Sequence, residues 1–406
     1  MSRTSTFKGG FSVTLPLSDT SATMDWREFR LHQEIRKHDL LTLTVRSRST
    51  EYFDTLYPNT PIQVVYRDGD GMSAMFLGYV SKVAPVTHVE DSHYEREITC
   101  VAASREFRAT ARNTWRNHTA PEIAQDIGKR LGFKVVTKQH GLRKKQIVQG
   151  GETYWEVLTK LAKTTGYVLR AEGTTLYFLP LKEMIKAFSS VAPILATASV
   201  ATQYPTTVLD VDTLLGNTSD DEDDESDTAV VVSLGPNDTE PVAVRESPRS
   251  AVRSSKASIP AYEKYNPSII AHSRADAQLL AKGMADQGMM AYDGRVFGKG
   301  DPFIAPYRPV YLATNDKTAT GYWIVKSVTH RITRGEYTCE TIISTDEVSP
   351  QRSVPPTTRY RNLAQEAQQG WSPMTGSASR LKILSPSFVV GMTYRPDGKV
   401  AQWVAV

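Results

Sequence analysis

Cysteine is scarce: Cys100 and Cys339 are the only two in 406 residues. Two thiols cannot frame a disulfide-built fold or supply a four-ligand zinc site. Each lies in an alternating, strand-like stretch, so half-buried thiols in a reducing compartment are expected. Long apolar runs are also missing, since none reaches the roughly 18 residues of a membrane span. The N-terminus, MSRTSTFKGGFSV, lacks the apolar core of a signal peptide. Synthesis in a cytoplasm and no stable membrane insertion follow as expectations. The sequence holds no Walker phosphate loop, no Gly-x-Ser-x-Gly and no His-Glu-x-x-His. None of its eight histidines stands at the i, i+4 spacing that presents two rings to one metal. His330 sits in a strand pattern and reads as a packed or hydrogen-bonded residue. No catalytic residue, metal site or cofactor is expected, and the chain reads as a non-enzyme.

The chain has 40% apolar and 23% charged residues, as soluble globular proteins do, and room for two to four domains. The formal net charge is only +4, which does not mark a dedicated nucleic-acid binder. Its distribution is uneven. Asp220 to Asp227 holds seven acidic residues, while Gln351 to Val406 holds seven basic and two acidic ones. The acidic run offers nothing to bury and repels itself, so a disordered loop near 217–228 is expected. A calcium loop would need a glycine at its sharp turn and a terminal glutamate, and neither is present.

Residues 1–110 alternate as half-buried strands do, through Phe11, Val13 and Leu15, then Leu41, Leu43 and Val45, then Ile62, Val64 and Tyr66. Five or six such strands predict a barrel or strongly curved sheet. Residues 111–185 read as an α+β unit. Thr119, Pro121 and Glu122 start one helix with a cap, a first-turn proline and a capping-box acid. Thr153 and Glu156 repeat that box before a second helix, whose apolar face runs through Trp155, Leu158, Leu161 and Ala162. Gly166 ends it where a left-handed residue is needed, and a hairpin turning at Glu172-Gly173 follows. Arg143-Lys144-Lys145 reads as a solvated basic loop. Residues 186–348 look irregular at first. They then show a valine hairpin around Gly235 to Asp238, a helix opening at Ser273, and strands at Arg295 to Phe297, Val310 to Ala313, Gly321 to Val328 and Tyr337 to Ile343. Gly78 to Val101 and Gly321 to Ile343 look faintly alike, which hints at two copies of one β module. Residues 349–406 join a proline-rich basic linker to an apolar end with one Pro-Asp-Gly-Lys turn. Arg359, Tyr360, Arg361, Tyr394 and Trp403 are its candidate partner-binding residues, because aromatics and arginine favour interfaces.

The helix and hairpin of Trp155, Leu158, Leu161, Ala162, Gly166, Tyr167, Leu176 and Phe178 resemble a unit of phage tail baseplate hub proteins, the late-control protein D family. The segment of Gly321, Tyr322, Ile324, Val325, Val328, His330, Gly335 and Tyr337 resembles the end of that family's second barrel. The resemblance covers roughly residues 5–348. It implies an α+β, mainly β fold with two tube-like β-barrel modules (1–110 and 186–348) flanking the helix-hairpin domain (111–185). An extended C-terminal tail (349–406) would follow. It further implies a homotrimeric hub at the tail tip that adapts a sixfold tube to a threefold spike or fibre. The implied partners are the tail tube protein, a distal tail or baseplate ring protein, the spike or central fibre protein, the tape measure protein and DNA in transit. The implied location is the virion tail tip or baseplate. No lysozyme or peptidase extension is expected, and with it no cell-wall digestion by this chain. A cell-wall-degrading or carbohydrate-binding tail protein is the alternative class.

Overall fold

Although Ser12 and Thr14, between the apolar positions Phe11, Val13 and Leu15, are buried too, the period-two alternation of the first hundred residues does form strands. They are β1 (Gly9–Thr14), β2 (Asp25–Glu34), β3 (Leu40–Ser47), β4 (Pro61–Asp68), β5 (Ser73–Pro85) and β6 (Tyr94–Ala102). Leu41, Leu43 and Val45 are fully buried, as are Ile62 and Val64. The computed structural model describes residues 9–15, 25–48, 53, 56–68, 73–85, 94–188, 192–197, 207–214, 228–233, 242–246, 263–271, 274, 277–278, 280–281, 292–314, 320–333, 336–345, 390–394 and 400–405.

The α+β unit follows through β7 (Thr110–Thr119), α1 (Ala120–Arg130), β8 (Lys134–Thr137), β9 (Arg143–Thr153), α2 (Tyr154–Thr165), β10 (Tyr167–Glu172), β11 (Thr175–Pro180) and α3 (Leu181–Phe188). Both capping boxes form, with Thr119 and Glu122 on α1 and Thr153 and Glu156 on α2. Gly166 takes the left-handed conformation at φ 67°. Leu158, Leu161 and Ala162 of the expected stripe on α2 are buried, and Tyr154 and Val157 widen that face. Trp155 is half-buried, and its indole N–H reaches the Arg36 carbonyl at 3.3 Å. The expected basic loop is instead the start of β9, where Arg143 pairs with Glu122 at 2.9 Å. β7 and β9 pair antiparallel over most of their length.

The remaining strands are β12 (Ile194–Thr197), β13 (Thr207–Leu214), β14 (Thr228–Ser233), β15 (Val242–Glu246), β16 (Glu263–Ala271), β17 (Tyr292–Lys299), β18 (Pro309–Ala313), β19 (Gly321–Thr333), β20 (Glu336–Thr345), β21 (Val390–Tyr394) and β22 (Val400–Ala405). The valine hairpin is β14 with β15. Ala277, Leu280 and Ala281 of the expected Ser273 helix are buried, but most of that helix lies outside the described residues. So do the acidic run at 220–227 and the tail from 349 to 389.

Fourteen strands join in one curled sheet, so the chain is mainly β with few helices. Its two halves share a strand order. The first half reads β2-β3-β6-β5-β4-β1, and the second reads β13-β17-β20-β19-β18-β12. Rank by rank in the chain these are the same order. β18 pairs with both β12 and β19, so the six strands of the second half follow one another in a cycle. The halves differ at their first strands, since β1 lies antiparallel to β4 whereas β12 lies parallel to β18.

The correspondence extends to single residues. β5 is bulged between Val80 and Lys82, and β19 between Val325 and Ser327. β2 is bulged between Trp26 and Glu28, and β13 between Val208 and Asp210. Pro61 opens β4 opposite Tyr79, and Pro309 opens β18 opposite Ile324. Asn59 and Tyr307, each two residues before that proline, both have positive φ, at 75° and 65°. The Asn59 N–H donates to the Val80 carbonyl at 2.8 Å, and the Tyr307 N–H donates to the Val325 carbonyl at 2.8 Å. This register matches Gly78 with Trp323 and Cys100 with Ile343. The likeness of Gly78 to Gly321 and of Cys100 to Cys339 in the sequence is therefore out of step. Both halves contribute to one hydrophobic core, from Phe11, Phe29 and Val64 to Val310, Val325 and Ile343. β2 and β19 pair antiparallel and join them. Each fully buried aliphatic side chain in that core contributes about 1.5–3 kcal/mol.

Candidate functional site: a polar junction between the two halves

Charge is costly to bury, so charged side chains in an interior mark places where the chain needs them. Arg170 is 1% exposed and lies on β10, a strand otherwise apolar up to Glu172. Its guanidinium forks onto the Asp39 carboxylate in the β2–β3 turn, with Nη2 to Oδ2 at 2.7 Å and Nη1 on Oδ1. Nε donates to Glu172 Oε1 at 3.4 Å. Arg170 and Glu172 are two apart on a strand, so they share a face. Glu172 Oε2 in turn accepts from Arg308, in the turn before β18. Gln33 on β2 completes the set by donating to Asp39 Oδ2 at 2.7 Å. Two guanidiniums and two carboxylates thus balance, and they tie the first half, the α+β unit and the second half together. Arg308 also lies over the Phe188 ring of α3, 4.3 Å from its centroid.

The electrostatics follow from burial and partners. Burial pushes Asp39 up, against the pull of Arg170. The two-pronged geometry is nonetheless that of a carboxylate with a guanidinium. Burial also acts to raise Glu172, but Arg308 and then Arg170 outweigh it and hold the group below the usual range. Arg170 stays charged, because Asp39 and Glu172 overcome the burial that would lower it. A cavity of about 60 Å³ adjoins the network, lined among others by Gln33, Asp39, Tyr66, Glu172 and Arg308. Gln33 Oε1 and Arg308 Nε make no hydrogen bond to protein.

A second buried polar group lies between β19 and β20. His330 Nδ1 is 2.8 Å from Tyr337 Oη and 3.0 Å from Cys339 Sγ. A thiol beside an imidazole has the spacing of a nucleophile and its base, but the environment opposes that use. Burial pushes His330 down to about 3 and the Cys339 thiol well up, so both are neutral. His330 is 0% and Cys339 2% exposed, which leaves a substrate no approach. The expectation of a packed, hydrogen-bonded His330 holds. The thiols are fully rather than half buried, because Cys100 and Cys339 lie within the main hydrophobic core. Asp301 caps the nearby turn by accepting from the Phe303 N–H at 2.8 Å, and burial raises it to about 7. Among the described residues no group of three metal-ligating side chains occurs, and no helix is long and apolar enough to cross a membrane.

Of the candidate tail residues, Arg359, Tyr360 and Arg361 lie outside the described residues. Tyr394 is on β21 and Trp403 on β22. These strands pair as a hairpin, and β21 pairs with β1, so the tail's end extends the chain's own sheet. Asp39, Arg170 and Arg308 were not singled out from sequence, and Glu172 was named only as a turn residue. The one visible signal was a lone arginine in the apolar run Tyr167 to Ala171.

The fold is that of phage tail proteins. It is similar to the prophage MuSo2 43 kDa tail protein from Shewanella oneidensis, with TM-score 0.59 and 12% identity over 83% of this chain and 98% of that one. A tail protein from Neisseria meningitidis MC58 is similar at TM-score 0.59 and 12% identity, over 84% and 98%. The E. coli c3393 protein, a type VI secretion component described as structurally similar to the T4 tail proteins gp27 and gp5, is similar at TM-score 0.52 and 10% identity, over 97% and 92%. No family model matches the sequence, and no curated protein matches it.

Proposed function

We propose that this chain is the structural hub of a phage or phage-like tail tip, belonging with the late-control protein D hubs it resembles. In this reading the two halves are tube-like barrel modules, and three copies form a ring. Its six similar modules adapt a sixfold tail tube to a threefold spike or fibre, and its channel passes the tape measure and then DNA. The observation that carries the reading is the repeated strand order with its matched bulges and matched left-handed residues. A sixfold tube end presents six equal edges, and three chains with two like modules each supply six partners under closed symmetry. The likeness to phage tail proteins supports the same role. The buried ion-pair network fits it as well, since it fixes the angle between modules that must present equal faces. The tail from residue 349, a basic linker with an apolar end that carries Arg359, Tyr360, Arg361, Tyr394 and Trp403, is assigned to a neighbouring tail-tip protein.

Sedimentation of the full chain, followed by imaging of tail tips, tests the proposal. A trimer and a ring with a central hole are expected. A symmetric dimer, or six copies in the hub ring, would refute it.

A further inference from the structure

Strand pairing inside the chain points to how one copy meets the next. β19 is long and uses its length in two ways. Its first part, Gly321 to Ile324, pairs with β18. Beyond the bulge, Ser327 to Thr333 pairs with β2 of the other half, and the carbonyl of the bulged Lys326 accepts from the Ile35 N–H at 3.0 Å. β5 holds the corresponding place in the first half and has the same length of 13 residues. Its first part pairs with β4 as far as Tyr79. Beyond the bulged Ser81, Lys82 to Pro85 pairs with β6 on one side. Among the described residues nothing pairs with its other side, and Ser81, Lys82 and Pro85 are exposed.

The counterpart of β2 shows a matching open edge. β2 pairs with β3 on one side and β19 on the other. β13 pairs with β17 along Val208 to Leu214, but with β12 only at Thr207 and Val208. From Asp210 to Leu214 its second edge takes no partner among the described residues. Among the described residues the chain thus makes one β2–β19 seam and leaves without a partner the two edges that would make its equivalent.

We infer that β13 of one copy pairs antiparallel with the end of β5 of a second copy, repeating between chains the seam that β2 and β19 form within one. Open backbone edges favour strand addition, and a head-to-tail contact gives a ring where its rotation closes. The matched bulges set the register. Within the chain His32 lies opposite Thr329 and Leu31 opposite His330. Carried over, Leu214 lies opposite Ala84 of the second copy, and Thr213 opposite Pro85. This inference rests on the hub reading, because it takes the second copy as the occupant. It adds which edges meet and in what register.

The test is a crosslink in the full-length chain. Directly opposed residues in antiparallel strands have Cα atoms about 4.5–5.5 Å apart, within disulfide range. A double variant, Ala84→Cys with Leu214→Cys, is oxidised and run under denaturing, non-reducing conditions. The native thiols are both buried. A control variant, His32→Cys with Thr329→Cys, reports the seam within the chain, where the two native side chains are 3.0 Å apart. The control is expected to close inside one chain. The Ala84, Leu214 variant is expected to give a ladder that stops at the trimer, and a mixture of the two single variants is expected to stop at the dimer. If sedimentation gives a trimer and no ladder forms while the control closes, the seam is wrong and the ring stands. A ladder that stops at another number upholds the seam and overturns the trimer. A bond between positions 84 and 214 of the same chain overturns the seam, and a monomer with no ladder overturns both.

Discussion

Replacing Arg170 with methionine probes the junction directly. The change keeps much of the side chain's length and removes its charge. Asp39 then loses both guanidinium bonds and keeps only Gln33, while Glu172 keeps Arg308. Asp39 is 5% exposed, so its carboxylate is left buried and uncompensated. Breaking one side of a buried pair in this way costs about 3–5 kcal/mol. At about 2–4 °C per kcal/mol for a cooperative unit of 150–250 residues, the melting temperature falls by roughly 6–20 °C at pH 7. The deficit depends on pH with a definite sign. With Arg170 gone, its opposing pull is lost, and the Asp39 pKa, already raised by burial, moves further above its unfolded value. Its contribution to stability is then present at low pH and lost as pH rises through the folded value, so the deficit shrinks on acidification. A second variant, Arg170→Met with Asp39→Leu, removes the pair and leaves Glu172 with Arg308. It should be clearly more stable than the single variant. Calorimetry at pH 7 and pH 5 reads all three proteins. A deficit under about 1 kcal/mol, or one that ignores pH, would show that water reaches the network and that it does not bind the halves together.

Other expectations follow from the same interior. Gly300→Ala should destabilise the chain, because a Cβ there would lie 2.1 Å from the Tyr337 ring; the loss should reach about 1–3 kcal/mol by urea unfolding. His330 should lower stability on acidification, since burial holds its folded pKa near 3 and the unfolded chain takes the proton first below about 6.5. That contribution amounts to about 2 kcal/mol between pH 7 and pH 5, and a His330→Gln variant should lose this slope. Thr119→Ala and Thr153→Ala should each cost about 1 kcal/mol through the lost helix caps, read as earlier thermal unfolding of the α+β unit. A high-resolution crystal structure should show ordered water bridging Gln33 Oε1 and Arg308 Nε in the junction cavity.

Local rules were legible in the sequence wherever local physics decides. The two capping boxes, the left-handed Gly166 and the alternating strands β1, β3 and β4 depend on neighbours a few residues away, and all formed as expected. α3 was missed because its eight residues run into a stretch rich in Ala, Ser and Thr. The β7–β9 pair was missed because most of its side chains are polar and exposed, so no apolar alternation marks it. The repeat was glimpsed in the wrong register, because Gly-Tyr and Thr-Cys attract the eye while bulges leave no letter behind. The junction was hidden for another reason. Asp39, Arg170 and Arg308 are far apart in sequence, and a buried ion pair is a property of the folded chain alone.

The seam between β2 and β19 has a consequence for synthesis. His32 and Thr329, bonded across it, are 297 residues apart in the chain. At about 5–20 residues per second, β2 leaves the ribosome on the order of 15–60 s before its partner exists. For that interval an edge destined for the centre of a 14-stranded sheet stands open. The strand carries Asp25, Arg27, Glu28, Arg30 and Glu34, and charge of both signs on an open edge discourages pairing with strangers. Some of that charge finds its partner when β19 arrives, as Glu28 does with Arg331 at 2.8 Å. The same charges made β2 hard to read as a strand, so what hid it from inspection is what guards it while the nascent chain waits.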